Sequence, residues 1–423
     1  MAGASWLMTH LMDEAERQFS SLVELQRDLH AHPEIGYEEK RTSARVAEEL
    51  SRLGLEPRTG VVETGVIADL CGEAPGNTLA LRVDMDAFPI DEAPGLAWRS
   101  RYPGAAHVCG HDAHTAIGIG VARVLARVKA QLKGTIRFIF QPAEERPLVE
   151  DEGERPYREG VRAVSAAELM IRSGALEPDV KAVFGLHLWP ALPTGRIGIE
   201  QGAAMAGVAN FLASVYGRSA HGAMPDQGVD AIAVTAQLLS MLQLISSRQK
   251  PPSEPLVITV GTIRGGDRRN VIADRVDITG TVRALSSELL RNTVPGHLRA
   301  MFDGVTSAMG ASYDLEYYPL IAPVMNDAAL VQGARAAVAS VLGGQAVVPD
   351  MEKAMTSEDF ACFAERLPGL YIKIGCTVPG QPVLPLHFRG FRFDESAIKY
   401  GVAAMAAIIC DRLATGDRDG LEV

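Results

Sequence analysis

The chain of 423 residues has no apolar run long enough to cross a membrane as a helix. Its opening residues, M-A-G-A-S-W-L-M-T-H, show no basic stretch followed by a sustained apolar one, so no secretory signal is read there. Positive charge is in deficit: 41 Lys and Arg face 52 Asp and Glu, a net charge of −11. That excludes a protein that tracks nucleic-acid phosphates, which needs a basic face. Cysteine is sparse. The five residues at 71, 109, 362, 376 and 410 are odd in number and scattered, which excludes a disulfide framework and fits a reducing compartment. No long internal repeat is present. A cytoplasmic protein is expected, with no membrane and no nucleic acid as partner. What is abundant is apolar character: 47% hydrophobic residues beside 22% charged ones can build a large core.

The length predicts two or three domains. Residues 10–54 read as helices with a break at His32-Pro33, because the residue before a proline resists the helical conformation. Apolar runs at 65–70, 78–83, 135–140 and 180–186 alternate with helical stretches at 113–132 and 163–172. That alternation predicts an α/β domain with a largely parallel sheet. After about Gly202 the order becomes β-α-β-β-α-β, with strands at 209–216, 256–263, 275–282 and 313–318 and helices at 231–244 and 288–302. This is the pattern of a ferredoxin-like unit. We therefore expect residues 1–202 and 320–423 to form one α/β domain with a mixed sheet, and residues 203–319 to be an α+β domain inserted in it. The charged segment 146–162, which holds Pro and Gly, reads as a surface loop.

Polar groups gather where strands end. Asp84 and Asp86 follow L-A-L-R-V, Glu144 and Glu145 follow I-R-F-I-F, and His187 follows A-V-F-G-L. In open α/β sheets the ligand crevice lies outside the carboxyl ends of the strands. In V-C-G-H-D-A-H-T, Gly110 lets the backbone turn so that Cys109 and His111 face one ion. A thiolate there sits near the positive end of a helix. Thiolate, imidazole and carboxylate together suit borderline-soft divalent ions. Taken singly, each residue has a plainer reading: Cys109 as a small buried hydrophobe, His187 as a core histidine, Asp84 and Asp86 as turn caps, Glu144 and Glu145 as a solvated loop start. Two adjacent carboxylates repel, however, and a cation relieves them. Of His107 and His114, at least one is expected to support ligands rather than ligate. Together with His387 in L-P-L-H-F, the set reads as a metal-assisted hydrolase.

These residues fall in ordered motifs: R-D-L-H-A-H-P-E-I-G-Y-E-E (27–39), R-V-D-M-D-A-F-P-I (82–90), H-V-C-G-H-D-A-H-T (107–115), F-Q-P-A-E-E (140–145), G-L-H-L-W-P (185–190), S-A-H-G-A-M-P (219–225), N-V-I-A-D (270–274), G-T-V-R (280–283), S-E-D-F (357–360) and L-H-F-R-G-F-R-F-D-E (386–395). In them the chain resembles the aminoacylase/carboxypeptidase family of co-catalytic metallopeptidases. The likeness is to the amidohydrolase branch, which holds N-acyl-amino-acid amidohydrolases, hippurate hydrolases and auxin-conjugate hydrolases. The resemblance implies a dinuclear catalytic domain with an inserted lid that pairs two subunits into a homodimer. It implies two divalent metal ions per subunit, manganese or zinc, with cobalt or nickel as substitutes. Their ligands would be Cys109, His111, Glu145, His187 and His387. Glu144 would be the general acid/base, and Asp86 the carboxylate supporting the metal site. His221 would be the lid histidine that completes the active site and stabilises the oxyanion. Asn270 and Arg283 would meet a small-molecule substrate, Arg283 through its carboxylate.

The chain departs from the family in three places. Roughly 15 extra residues separate P-A-E-E from M-I-R-S-G (170–174), enough for a functional loop. Phe388 and Arg389 follow His387 where small residues are usual. Thr356 replaces a glycine before S-E-D-F. Phe388 and Arg389 would suit a flat, anionic aromatic substrate, Arg389 gripping a carboxylate and Phe388 supplying an apolar wall. The expected reaction is hydrolysis of the amide of an N-acyl amino acid. Two rivals stand beside it: an aminohydrolase that releases ammonia from an aromatic amine carrying a carboxylate, and a catalytically silent binding module. Intact Glu144 argues against the second.

Overall fold

The computed structural model describes residues 2–146, 148–149 and 163–415. Most of the charged segment 146–162 therefore lies outside the described residues. The first helix, Ala2–Ala31, stops before His32-Pro33. A second, Lys40–Arg52, follows.

The main sheet has eight strands in the order Arg58–Val61, Gly65–Cys71, Lys133–Gln141, Ala74–Asp84, Val180–Pro193, Gly369–Thr377, Ile197–Gly198 and Val347–Val348. The four central strands, from Lys133–Gln141 to Gly369–Thr377, run parallel. On one side Arg58–Val61 and Gly65–Cys71 add antiparallel pairings, and on the other Ile197–Gly198 does. The sheet is thus mixed, with its parallel part confined to the centre, where both faces are covered. One face packs against the helices Ala2–Ala31, His111–Arg127, Ala328–Leu342 and Ala397–Thr415 around a continuous apolar core. The other face, with Ile139, Val183 and Tyr371, packs against the short helices Ala166–Arg172 and Ala361–Ala364.

The strand that starts at Val180 runs to Pro193, beyond the run read from the sequence. The extra length has a partner. Gly369–Thr377 continues alongside it, with Lys373 opposite His187 and Thr377 opposite Pro193. His187 therefore stands within a paired strand, fixed on one side, rather than on a loop.

The second, four-stranded sheet has the order Leu256–Gly265, Arg275–Ala284, Gly207–Tyr216, Ser312–Ile321, all antiparallel. The helices Ala231–Arg248 and Val294–Met309 cover one face around Phe211, Leu238, Leu242, Leu298 and Phe302. Asp230 caps the first of these helices, its side chain accepting from the amides of Ile232 and Ala233. The chain passes between the two sheets on a short antiparallel ribbon, Gly202–Met205 against Val324–Asn326.

Packing at the parallel centre leaves no spare room. A Cβ on Gly185 would lie 2.7 Å from the rings of Phe360 and Tyr371. Gly185→Ala is expected to cost about 1–3 kcal/mol through overpacking. Denaturant unfolding checks this, and an unchanged midpoint would show that the rings give way.

Candidate metal centre

Gly110 has φ of 93° and N-caps the helix His111–Arg127. A side chain there would press on Leu188 as well as strain the backbone. This turn brings Cys109 and His111 inward, both buried. Cys109 Sγ lies 3.4 Å from His187 Nε2. His387 reaches the same place from the far end of the chain, with φ of 62°, its amide donating to the Val108 carbonyl and its ring stacked on Phe88 at 4.4 Å. Its Nε2 meets Glu145 Oε1 at 2.7 Å. Three groups of potential ligand atoms result, each within 4.8 Å: Cys109, His111 and His187; Cys109, Glu145 and His387; His111, Glu144 and Glu145. Cys109 belongs to two of them. All five residues expected as ligands come together, with Glu144 among them.

The hydrogen bonds settle which histidine nitrogens are available. His111 Nδ1 bonds Asp86 Oδ1 at 3.1 Å, and His187 Nδ1 donates to the Leu188 carbonyl at 2.6 Å. Each ring thereby turns its Nε2 toward the cluster, that of His187 onto Cys109 Sγ. That of His111 is buried with no hydrogen-bond partner, a costly state that an ion removes. His114 differs. Its Nδ1 bonds Asp84 at 2.6 Å and its Nε2 accepts from the Leu188 amide at 2.8 Å, so both nitrogens are in use.

The charges also call for a cation. Burial, with Glu145 and Glu144 beside it, pushes the Cys109 thiol well above its ordinary pKa. Burial and the facing carboxylates of Glu358, Glu145 and Asp359 push Glu144 well up too. Burial disfavours the charged ring of His111, but Asp84 and Asp86 outweigh it and raise its pKa to about 10. Positive charge is wanted at this spot, and the donors are of the kinds divalent ions take. The residues present fit a metal.

Asp86 organises the base. Its two oxygens accept from the amides of Glu144 and Glu145, each at 3.1 Å, besides bonding His111. Behind it lies a network to which the sequence reading gave no role. Arg82, fully buried, donates to Asp84 at 2.8 Å, Asp359 at 2.7 Å and Gln141 at 2.9 Å, and pairs with Glu358 at 3.1 Å. Tyr371 donates to Glu358 at 2.5 Å. Carboxylate atoms of Glu144, Glu358 and Asp359 lie within 4.8 Å of one another. The signal was an arginine inside the apolar strand L-A-L-R-V, since a buried charge must be paired.

The remaining expected site residues stand apart. His221 and Asn270 are neighbours on the second sheet's loops: the Gly222 amide donates to the Asn270 carbonyl, and His221 pairs with Val271. His221 Nδ1 accepts from the Ala223 amide at 3.1 Å. Arg283 donates to the Met355 carbonyl at 3.3 Å. Phe388 is 48% exposed beside His387. Arg389 Nε donates to the Asp91 carbonyl at 2.8 Å, which ties the guanidinium to the 91–93 loop. Among the described residues, no hydrogen bond, ion pair or ring contact joins His221, Asn270, Arg283 or Arg389 to the ligand cluster.

Comparison with known proteins gives the family. A family model described as peptidase family M20/M25/M40 matches residues 80–411. An N-acetylcysteine deacetylase of Bacillus subtilis is 34% identical over 407 residues, covering 94% of this chain and 100% of that protein. An N-acyl-L-amino acid amidohydrolase of Geobacillus stearothermophilus is 39% identical over 316 residues, 75% of this chain and 80% of the other. Among solved structures, a dinuclear metal-binding peptidase of the M20 family from Bacillus subtilis superposes with a TM-score of 0.78 at 32% identity, covering 93% of this chain and 98% of its own. The chain belongs to peptidase family M20/M25/M40 and is a hydrolase.

Removing the Arg82 charge while keeping its length, as in Arg82→Met, leaves Asp84, Glu358 and Asp359 buried without their cation. The expected loss is about 3–5 kcal/mol of stability. Urea unfolding of the metal-loaded protein reads it, and a loss below ~1 kcal/mol would mean the carboxylates take up protons at little cost.

Proposed function

We propose that this enzyme hydrolyses the amide bond of N-acyl amino acids, with two divalent ions per subunit held by Cys109, His111, Glu145, His187 and His387. The observation that carries the reading is the convergence of those five residues on one place with Glu144 beside Glu145. Relatives named for deacetylation of N-acetylcysteine and hydrolysis of N-acyl-L-amino acids support the substrate class. The ions, when bound, lower the pKa of a water and polarise the amide carbonyl. Glu144 takes the proton from the attacking water and returns it to the leaving nitrogen. Asp86 fixes the His111 ring and the amides of Glu144 and Glu145. The mixture of thiolate, imidazole and carboxylate favours manganese or zinc, with cobalt or nickel as substitutes.

Residues 203–319 act as the lid, and residues 1–202 with 320–423 as the catalytic body. His221 spends Nδ1 on the Ala223 amide, so a neutral ring carries its proton on Nε2. That N–H donates to the carbonyl oxygen as it gains negative charge. Asn270 and Arg283 meet the substrate from the lid, and Phe388 lines the mouth. Arg389 reaches an anionic substrate only by leaving Asp91. The edge strand Leu256–Gly265 exposes Val257 and Ile263, and pairing with a second lid covers it, which supports a homodimer. A cytoplasmic location is supported by five free cysteines. No described helix is long and apolar enough to cross a membrane.

The reading is tested with metal-reconstituted protein on a panel of N-acyl amino acids and aromatic amines. Free amino acid from the first set is expected. Ammonia from the second alone would make the protein an aminohydrolase, and no turnover of either would leave a binding module. Glu144→Gln is expected to lower kcat by at least ~10²-fold with metal content unchanged. Cys109→Ala should lose metal and activity together, and full metal content by elemental analysis would reduce Cys109 to packing.

The lid reading has its own test. If the protein dimerises and His221 serves the partner's site, inactive His221→Ala and Glu144→Gln subunits regain part of the activity when mixed. Absence of recovery after proven subunit exchange would place His221 in its own subunit's site or outside catalysis.

A further inference from the structure

Three loops of different origin meet at one buried carboxylate, that of Glu39, which is fully shielded from solvent. Its Oε1 accepts from the Ala143 amide at 2.8 Å, and its Oε2 accepts from the Thr64 hydroxyl at 2.6 Å. Each loop contains non-glycine residues in the left-handed region: Tyr37 at φ 68°, Val62 and Glu63 at 53° and 68°, and Ala143 at 52°. Such residues cost of order 1–3 kcal/mol each and persist only where the surroundings over-determine them. The loops are also pressed together, since a Cβ on Gly36 would sit 2.8 Å from that of Ala143.

Glu39 stands at the N-cap of the helix Lys40–Arg52, yet its side chain makes no capping bond. Glu34 does that work, accepting from the amides of Arg41 and Thr42 at 2.9 and 2.8 Å. The Glu39 carboxylate is thereby left to face inward. Ala143 immediately precedes Glu144 and Glu145. Their amides are held by Asp86, so the whole turn hangs on three backbone N–H bonds into two buried carboxylates.

We propose that Glu39 is a positioning residue of the metal centre. By holding the Ala143 amide it keeps the turn in the left-handed form that sends Glu144 and Glu145 in their separate directions. It touches neither substrate nor ions and acts through the peptide. This rests on Glu144 and Glu145 serving as base and ligand. Burial, with Asp86 adding to it, raises the Glu39 pKa to about 7, against its two donors. The role therefore asks for an acceptor oxygen rather than a full charge, and glutamine supplies one.

The test compares full-length wild type, Glu39→Gln and Glu39→Leu in three measurements. Hydrogen exchange of the segment 140–146 in metal-free protein should quicken ~10-fold or more in Glu39→Leu and stay near wild type in Glu39→Gln. Affinity for manganese by chelator competition should fall ~10- to 100-fold in Glu39→Leu and recover in Glu39→Gln. With an N-acyl amino acid, kcat should fall ~10-fold or more in Glu39→Leu while KM moves less than ~2-fold. Thermal unfolding accompanies each variant. Should Glu39→Leu fail to fold, Thr64→Val, which removes only the hydroxyl that orients Glu39, is expected to give the same changes about 3-fold or more in size. Lower stability with unchanged exchange, metal affinity and kcat would overturn the proposal, as would a glutamine variant as impaired as the leucine one. Inactivity of the wild type on N-acyl amino acids would sink the substrate reading instead, while exchange and metal affinity would still decide the role of Glu39.

Discussion

Negative charge buried at the carboxyl edge of the parallel strands is what the rest of this structure must accommodate. Asp84, Asp86 and Asp359 are almost wholly shielded from water, as are Glu358 and Glu39, and Cys109 and Glu145 stand beside them. An isolated carboxylate in such a place costs several kcal/mol, far more than any single helix or strand preference contributes. Arg82 answers part of the demand. It lies at the centre of Asp84, Glu358 and Asp359, and its own burial is tolerable only because they surround it. Among the described residues, no ion pair brings such a side chain to Cys109 or Glu144. There the thiol and the base are driven toward their protonated forms, and the imidazole of His111 is driven to hold a proton. The two halves thus differ, a fixed guanidinium behind and donor groups suited to a cation in front.

The backbone carries its share of this arrangement. His387 and Ala143 both adopt left-handed conformations next to the centre, one as an expected ligand and one just before the expected base Glu144. A residue without glycine's freedom holds such a φ only when its neighbours compel it. For His387 the compulsion is visible in the amide bond to Val108 and the stacking on Phe88. Backbone strain and buried charge therefore fall at the same place.

Much of this was legible in the sequence, for reasons that are local. The alternation of apolar runs with helical stretches gave the α/β body, and the β-α-β-β-α-β order gave the second sheet, because both depend on periodicity within a dozen residues. Part of the candidate cluster was legible because C-G-H opens a helix and E-E breaks an apolar pattern at a strand end. The rest depends on contacts that no local pattern encodes. The bond from Arg82 to Asp359 spans 277 positions, and that from Glu39 to Ala143 spans 104. The extension of Val180–Pro193 past the expected end depends on a partner strand nearly 190 positions later. His114 lies three residues after His111 in the same motif, and the Leu188 amide occupies its second nitrogen where that of His111 has no hydrogen-bond partner. Arg389 likewise acquired a defined partner, the Asp91 carbonyl, which its position beside His387 did not suggest.

Adjacency of Glu144 and Glu145 places a geometric condition on the whole centre. Glu144 and Glu145 stand in a turn after left-handed Ala143 rather than in an extended strand, so the proposed ligand and base depend on the shape of that turn for their separation. That separation is useful only if the peptide bearing them cannot rotate, since a small rotation would move both groups at once and in opposite senses. Asp86 accepts from both amides and bonds the His111 ring, so in the proposed reading one carboxylate sets the positions of ligand and base. A displacement of Asp86 would be felt at both, which ties the chemistry of water activation to the geometry of metal binding more tightly than a base on a separate loop would.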